Sequence, residues 1–219
     1  MIFKQLPAAV LWDMDGTLID SEPYWMKSEG SFARANNSVW TEQDGLSLVG
    51  MSLYDSSKII KERVGSDLEP EQIIQKLTDD VAAQLKQEIF WRPGARELLV
   101  LLRKKKIKTA LVTMSMHTMA KQVAESIGFE AFDVIVAGDD VRLGKPHPEP
   151  YLKAAELLGV NPEDCVAFED SLTGLRSAEA ANTKAVGIKN IVDIPMEPGR
   201  ILWPSLVGVT VSDLRRLFK

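Results

Sequence analysis

The sequence has few of the residues that mark several common protein classes: its 219 residues include one cysteine and two histidines. A single cysteine, Cys165, excludes a framework of internal disulfide bonds and favours a reducing compartment, so we expect a cytoplasmic protein. No apolar run reaches membrane-spanning length and the start shows no signal peptide, so we expect no membrane partner. The 26 Lys and Arg against 31 Asp and Glu, a net charge of −5, give no indication of a nucleic-acid partner.

Five short apolar runs predict the strands of a parallel sheet. They lie at residues 8–12, 109–112, 133–137, 165–168 and 184–188. Each run is nearly continuous rather than alternating, which is typical of strands that are covered on both faces. Helical patterns lie between most of the runs; one helix face carries Ala95, Leu98, Leu99 and Leu102. This order predicts a doubly wound, Rossmann-like α/β fold.

The segment between the first two predicted strands departs from this order. From about residue 19 to residue 89 there are helix signals but no convincing strand, and one apolar stripe consists of Ile74, Leu77, Val81 and Leu85. A crossover connection needs far fewer residues. We therefore predict an inserted α-helical domain at residues 19–91 and an α/β core formed by residues 1–18 and 92–219. A long, decorated crossover is the alternative.

Polar residues follow the predicted strands at or just beyond their carboxyl ends. In chain order these residues are Asp13, Asp15, Thr113, Lys145, Glu169 and Asp170. Because ligands of open α/β sheets bind beyond the carboxyl ends of the strands, we expect these side chains to converge on one rim.

The gathered carboxylates predict a divalent cation. Two like charges about 4 Å apart repel by about 4 kcal/mol at an effective dielectric constant near 20. Oxygen ligands without a nearby His or Cys suit Mg²⁺ better than Zn²⁺. The ammonium of Lys145 and the hydroxyl of Thr113 suit a phosphate group. In this arrangement Asp13 can attack phosphorus as a nucleophile, while Asp15 protonates the leaving alcohol and later activates water.

Each of these residues also has a purely structural interpretation. Asp170 with Ser171 can cap the following helix. Thr113 can be an ordinary strand end, and Lys145 a solvated surface lysine. His117, at the start of a predicted helix beside Thr113, is a candidate substrate contact. Order and position together favour the catalytic interpretation, because the signals fall at predicted strand ends or in the loops after them.

Four motifs resemble those of the haloacid dehalogenase superfamily, and within it the β-phosphoglucomutase and sugar-phosphatase branch. They are DMDGTLIDSE (13–22), ALVTMS (110–115), GKPHPEPY (144–151) and FEDSLTG (168–174). The resemblance implies that Asp13 is the nucleophile and Asp15 the acid/base. It implies a helical cap that closes over the substrate. The implied Mg²⁺ ligands are Asp13, the backbone carbonyl of Asp15, Glu169 and Asp170. The implied phosphate and substrate binders are Thr113, Lys145, Met14 and Ser115.

The resemblance implies a phosphatase rather than the other reactions of the superfamily. Asp15 argues against dehalogenation, since haloacid dehalogenases lack the second aspartate. Mutases of the branch carry three groups that this chain replaces: an Arg three residues after the cap-loop glycine (Leu53 follows Gly50, Met51 and Ser52 here), a Lys-Asn pair (Met116-His117 here) and a His on the first cap helix (Trp25 here).

The predicted function is therefore Mg²⁺-dependent hydrolysis of a small phosphorylated metabolite by a monomer, with a sugar or polyol phosphate as the expected substrate. Glu22, Trp25 and Gly50 are candidates to line the pocket. First-turn helix charge for Glu22 and a place in the cap core for Trp25 are equally open interpretations. A phosphosugar mutase and a non-catalytic phosphometabolite-binding module are the alternative functions.

Overall fold

The computed structural model describes residues 6–49 and 51–218. The helices are α1 (Glu22–Ala35), α2 (Glu42–Leu46), α3 (Leu53–Val64), α4 (Pro70–Leu85), α5 (Ala95–Lys104), α6 (His117–Ser126), α7 (Glu149–Leu158), α8 (Leu172–Ala180) and α9 (Val211–Arg216). The strands are β1 (Ala9–Trp12), β2 (Lys108–Val112), β3 (Val134–Val136), β4 (Cys165–Glu169), β5 (Lys184–Ile188) and β6 (Ile201–Trp203). Within these two ranges, no helix has both the length and the apolar character that crossing a bilayer requires.

The six strands form one parallel sheet in the order β3-β2-β1-β4-β5-β6. After β3 the chain crosses to the other side of β1, so the direction of strand order reverses beside the central strand. Such a reversal leaves a crevice at the carboxyl ends of the neighbouring strands, and ligands bind there. The predicted doubly wound α/β fold is confirmed.

Helices cover both faces of the sheet. Successive residues of a strand point to opposite faces, and in β1 Val10 and Trp12 join one buried cluster whereas Ala9 and Leu11 join another. Buried residues of α5, α6 and α9 pack in the first cluster, and those of α7 and α8 in the second. Burial on both sides explains why the strand sequences are continuously apolar.

Helices α1–α4 lie between β1 and α5 in the chain, and α1, α3, α4 and the segment after α2 pack around a third hydrophobic cluster. Its buried members are Phe32, Ala33, Leu48, Ile60, Val64, Ile73 and Leu77. As predicted, the described residues between β1 and α5 contain no strand beyond isolated bridges. The second half of α4 packs differently, because Val81 and Leu85 belong to the first cluster, on one face of the sheet.

The two chain segments that lead into and out of these helices run side by side. The N–H of Asp20 donates to the carbonyl of Phe90 at 2.6 Å, and the N–H of Arg92 donates to the carbonyl of Leu18 at 3.0 Å. The predicted division at residues 18–19 and 91–92 therefore falls on a pair of hydrogen-bonded segments.

Two details differ from the sequence prediction. A sixth strand, β6, forms in the Pro-rich tail and pairs with β5; its residues are only partly buried, so no continuous apolar run marks it. The fully buried position at the start of the α4 stripe is Ile73 rather than Ile74, which lines a cavity instead.

Candidate active site

Three carboxylates meet at the carboxyl ends of the two central strands. Asp13 follows β1, Glu169 ends β4 and Asp170 follows it. Because Trp12 pairs with Phe168 in the sheet, Asp13 and Glu169 stand level with one another. One oxygen from each of the three carboxylates lies within 4.8 Å of the others. Three of the predicted metal ligands are thus brought together.

The Lys145 ammonium lies inside this cluster. Its Nζ is 2.7 Å from Asp13 Oδ1 and 2.6 Å from Glu169 Oε1, and it donates to the carbonyl of Val112 at 2.9 Å. The lysine side chain is only 5% exposed, which excludes a solvated surface lysine. Tyr151, fully buried in α7, donates its hydroxyl to Glu169 Oε1 at 2.6 Å, and its ring lies 5.3 Å from the same ammonium.

The charges of the cluster shift the pKa values of its members. Burial and repulsion by Glu169 raise the pKa of Asp13 well above its usual value, although Lys145 opposes this. Burial and the same Glu169 charge raise the pKa of Asp170 to about 7. Burial by itself would lower the pKa of Lys145, but Asp13 and Glu169 raise it. Three carboxylates facing one ammonium carry excess negative charge, so the site favours a further cation.

Asp15 faces a group of hydroxyls instead of the carboxylate cluster. Ser21 donates to Asp15 Oδ1 at 2.6 Å, while Ser115 and Thr113 donate to Oδ2 at 2.8 and 3.3 Å. Thr113 Oγ1 also accepts from the N–H of Ser115 at 3.0 Å. The two aspartates of the first motif therefore have different surroundings, one ammonium-paired and one hydroxyl-bound, as different roles in a reaction require.

Gly16 brings the first loop against Asp170. Its φ is +79°, and a Cβ at this position would lie 2.0 Å from Asp170 Oδ2. Asn190 donates to the same oxygen at 2.7 Å. Only glycine combines this left-handed backbone with this close approach, so the loop conformation and the place of Asp170 depend on each other.

The sequence prediction missed Ser21, Tyr151 and Asn190. Asn190 stands two residues after the end of β5, so the strand-end rule applied to the run 184–188 points to it. Tyr151 lies in the third motif, but no local signal shows that its hydroxyl points at Glu169. Ser21 precedes α1, and it donates to Asp15 instead of capping the helix.

Two of the predicted substrate contacts, His117 and Met14, do not bring their side chains to the cluster. His117 lies at the start of α6 with Nδ1 2.7 Å from Asp140 Oδ2, and it does not line the cavity described below. The side chain of Met14 is fully buried in the core, so only its backbone can reach a substrate. Gly50 lies outside the described residues. A substrate-contact role for these residues stays a prediction.

A cavity of about 650 Å³ opens above the cluster and extends to the α1–α4 helices. Asp13, Asp15 and Lys145 line this cavity at the carboxyl ends of the strands, and Glu22 and Trp25 of α1 are also among its lining residues. Burial and the charge of Asp15 raise the pKa of Glu22 to about 7. The volume suits a small ligand.

Residues 7–182 match the family described as haloacid dehalogenase-like hydrolase. The chain belongs to this family. It is 32% identical to a phosphorylated carbohydrates phosphatase of Thermotoga maritima over 81% of its own length and 83% of the relative's. It is 30% identical to hexitol phosphatase A of Escherichia coli over 92% and 93% of the two lengths. The fold resembles that of β-phosphoglucomutase from Clostridium difficile with a TM-score of 0.79 and 23% identity, covering 98% of this chain and 97% of that one.

The carboxylate cluster of this haloacid dehalogenase-like hydrolase fits a hard divalent cation. Its donors are all oxygens, they lie within 4.8 Å of one another, and no His or Cys is among them. Mg²⁺ is commonly bound by one or two carboxylates together with water and a substrate phosphate, and the adjoining cavity leaves space for such a substrate. The ammonium and the hydroxyls beside the cluster are donors suited to phosphate oxygens.

Proposed function

We propose that this chain is a Mg²⁺-dependent phosphatase that hydrolyses a small phosphorylated sugar or polyol through an aspartyl-phosphate intermediate. The observation that carries the proposal is the convergence of Asp13, Glu169 and Asp170 around the Lys145 ammonium, beside a cavity of about 650 Å³. The substrate class is supported by relatives named as phosphatases of phosphorylated carbohydrates and of hexitols.

In the proposed reaction, a carboxylate oxygen of Asp13 forms a bond to phosphorus as the bond from phosphorus to the substrate oxygen breaks. Protonated Asp15 gives its proton to the departing alcohol. In the second step Asp15 takes a proton from water, the water oxygen bonds to phosphorus, and the bond to Asp13 breaks. The products are the alcohol and inorganic phosphate, and both aspartates return to their starting states.

Asp13, the backbone carbonyl of Asp15, Glu169 and Asp170 would hold the Mg²⁺, which neutralises phosphate charge when bound. Lys145 and Thr113 bind phosphate oxygens, with Ser115 beside them. In the structure the Thr113 hydroxyl donates to Asp15, so this role requires the hydroxyl to turn toward the substrate.

Residues 19–91 act as the cap domain over the core formed by residues 1–18 and 92–219. The cap helices supply one wall of the cavity, and their closure would exclude bulk water from the reacting phosphate. A monomeric state and a cytoplasmic location stay predictions.

A phosphosugar mutase is less well supported than a phosphatase. A mutase of this branch handles a second phosphate and needs cationic groups for it. Among the described residues that line the cavity, Lys145 is the one with a basic side chain, and its ammonium lies between Asp13 and Glu169. Leu53 and Trp25 stand where mutases carry Arg and His.

The test is the replacement Asp13→Asn. We expect wild-type protein to hydrolyse p-nitrophenyl phosphate with Mg²⁺ but not with excess EDTA, and the variant to lose activity by on the order of 10³-fold or more. Asp193→Asn, at an exposed position, removes the same charge and should keep full activity. Unchanged turnover in Asp13→Asn would refute the nucleophile assignment. Tight phosphoester binding without turnover by the wild type would indicate the non-catalytic module.

A further inference from the structure

One face of α1 turns two carboxylates toward the cavity. Glu22, Trp25 and Glu29 follow the spacing i, i+3, i+7, which places them on one side of a helix, and all three line the cavity. Seven residues along a helix correspond to about 10 Å. The second carboxylate, Glu29, thus lies two helical turns beyond Glu22, and the reaction proposed above gives it no role.

Glu29 is held in place on one side only. The residue is 6% exposed, and Trp40 Nε1 donates to its Oε2 at 3.1 Å. Trp40 in turn lies 5.8 Å from the guanidinium of Arg63, which pairs with the buried Asp44. The other oxygen, Oε1, has no hydrogen-bond partner among the described residues. This oxygen is accessible rather than fully buried, and Glu29 lines the cavity, so Oε1 can accept a hydrogen bond from a donor on the ligand.

The charges around the cavity disfavour a second anionic group on the ligand. The charged residues that line it are Asp13, Asp15, Glu22, Glu29, Asp139, Lys145 and Asp170. Among the described lining residues, Lys145 is the single basic one, and the carboxylates at the sheet surround it. A carboxylate or second phosphate near α1 would therefore face Glu22 and Glu29 without a balancing cation.

The surroundings of the two glutamates suit hydroxyl groups instead. Burial raises the pKa of Glu29 to about 7, against a lowering by the Trp40 hydrogen bond. Burial likewise raises the pKa of Glu22 to about 7. Near neutral pH such a carboxyl group can accept a hydrogen bond when ionised and donate one when protonated, and a hydroxyl group matches both states. The ring of Trp25 between them offers an apolar surface for the carbon skeleton.

The geometry points to Glu29, together with Glu22, as the residue that determines specificity for phosphate monoesters of neutral polyols and sugars, through hydrogen bonds to hydroxyl groups and rejection of a second anionic group. This inference rests on the proposed function and names the substrate class of the same site. It goes beyond that proposal because it assigns the choice between neutral and additionally charged substrates to two carboxylates of α1.

The test compares two compounds that differ at one carbon atom: glycerol 1-phosphate ends in a hydroxymethyl group and 3-phosphoglycerate in a carboxylate. We expect wild-type kcat/KM to favour glycerol 1-phosphate by about 100-fold. Glu29→Gln keeps an acceptor for Trp40 but removes the charge, and it should narrow this preference at least about tenfold, mainly through KM. Glu62→Gln, at an exposed position of α3, removes the same charge and should leave the preference unchanged.

A binding measurement separates this inference from the proposed function. Calorimetry on Asp13→Asn with Mg²⁺ should show tighter binding of glycerol 1-phosphate than of 3-phosphoglycerate, and the difference should shrink in Asp13→Asn/Glu29→Gln. The same binding preference without hydrolysis by the wild type would refute the phosphatase but support the selectivity. Equal use or equal binding of the two compounds, binding of neither, or a preference unaffected by Glu29→Gln would overturn the inference.

Discussion

Among individual side chains, Tyr151 is the clearest case of a residue that acts through another. Its buried hydroxyl donates to Glu169 Oε1 at 2.6 Å, and burial raises the pKa of Tyr151 well above its usual value, so it remains a donor at all relevant pH values. Tyr151 does not line the cavity. Its proposed contribution is to orient Glu169 toward the metal, as partners of metal ligands commonly do.

Tyr151→Phe should therefore change metal affinity more than turnover. We expect the Mg²⁺ concentration for half-maximal activity to rise about tenfold, with kcat at saturating Mg²⁺ little changed and a stability loss of about 1–3 kcal/mol in urea unfolding. Tyr24→Phe is the matched control, because it loses a hydroxyl that donates to the backbone carbonyl of Glu88, which is not part of the cluster. An unchanged Mg²⁺ dependence in Tyr151→Phe would show that the hydroxyl serves stability alone.

The helix that begins after β4 is built around the same glutamate. In α8 a Cβ on Gly174 would lie 2.0 Å from Glu169 Oε2. Helix propensity alone predicts that Gly174→Ala stabilises the protein by up to about 1 kcal/mol. Overpacking against a fixed side chain costs about 1–3 kcal/mol. Since Tyr151 and Lys145 both hold Glu169 Oε1, the carboxylate is not free to move away, and we expect the steric cost to exceed the gain in helix propensity.

Gly174→Ala should thus lower the free energy of unfolding and weaken the response to Mg²⁺, as measured by urea unfolding with and without the ion. Gly30→Ala in α1 is the control, because the nearest atom to its Cβ would be Arg34 Nη1 at 3.5 Å. At this position helix propensity is not opposed by a steric clash, so we expect the free energy of unfolding to rise by up to about 1 kcal/mol. Equal gains at both positions would mean that Glu169 moves freely and is not held in place.

A helix or strand was predictable from the sequence where one of its faces, or all of it, is buried. Strand β1 is buried on both faces, so its sequence is continuously apolar, and α5 buries the predicted stripe of Leu98, Leu99 and Leu102. Strand β6 was not predictable, because an edge strand with partly buried residues leaves no periodic or continuous signal. The shift from Ile74 to Ile73 arises because α4 faces both a hydrophobic cluster and the cavity.

The candidate site was predictable to the extent that strand ends determine it. Parallel strands bring their carboxyl ends to one edge, which places Asp13 beside Glu169 without further information. Hydrogen bonds between distant segments were not predictable in this way, since Ser21 with Asp15 and Asn190 with Asp170 depend on how loops return to the rim. Glu29 escaped prediction for the same reason: its helix face is assigned only once the cavity is known.

Stability of the folded chain should respond to Mg²⁺ through the excess charge of the cluster. Two unit charges no more than 4.8 Å apart repel by at least about 3 kcal/mol at an effective dielectric constant near 20. In the metal-free protein, burial and Glu169 raise the pKa of Asp170 from 3.8 to about 7. The ionised carboxylate therefore opposes folding as pH rises from about 4 to 7, and this cost is complete above pH 7.

Asp170→Asn should consequently raise the Tm of the metal-free protein at pH 8, with no advantage near pH 4. Mg²⁺ at 100 times its Kd stabilises a folded protein by about 2.7 kcal/mol, about 5–10 °C for a chain of this size. The variant lacks one ligand charge, so Mg²⁺ should raise its Tm much less. The variant should therefore have the higher Tm in EDTA and the wild type the higher Tm in Mg²⁺. Asp193→Asn should follow the wild type in both conditions. If Mg²⁺ raised the Tm of Asp170→Asn as much as that of the wild type, Asp170 would not be a ligand. Removing a charge that binds the cation must weaken the binding, and with it the rise in Tm.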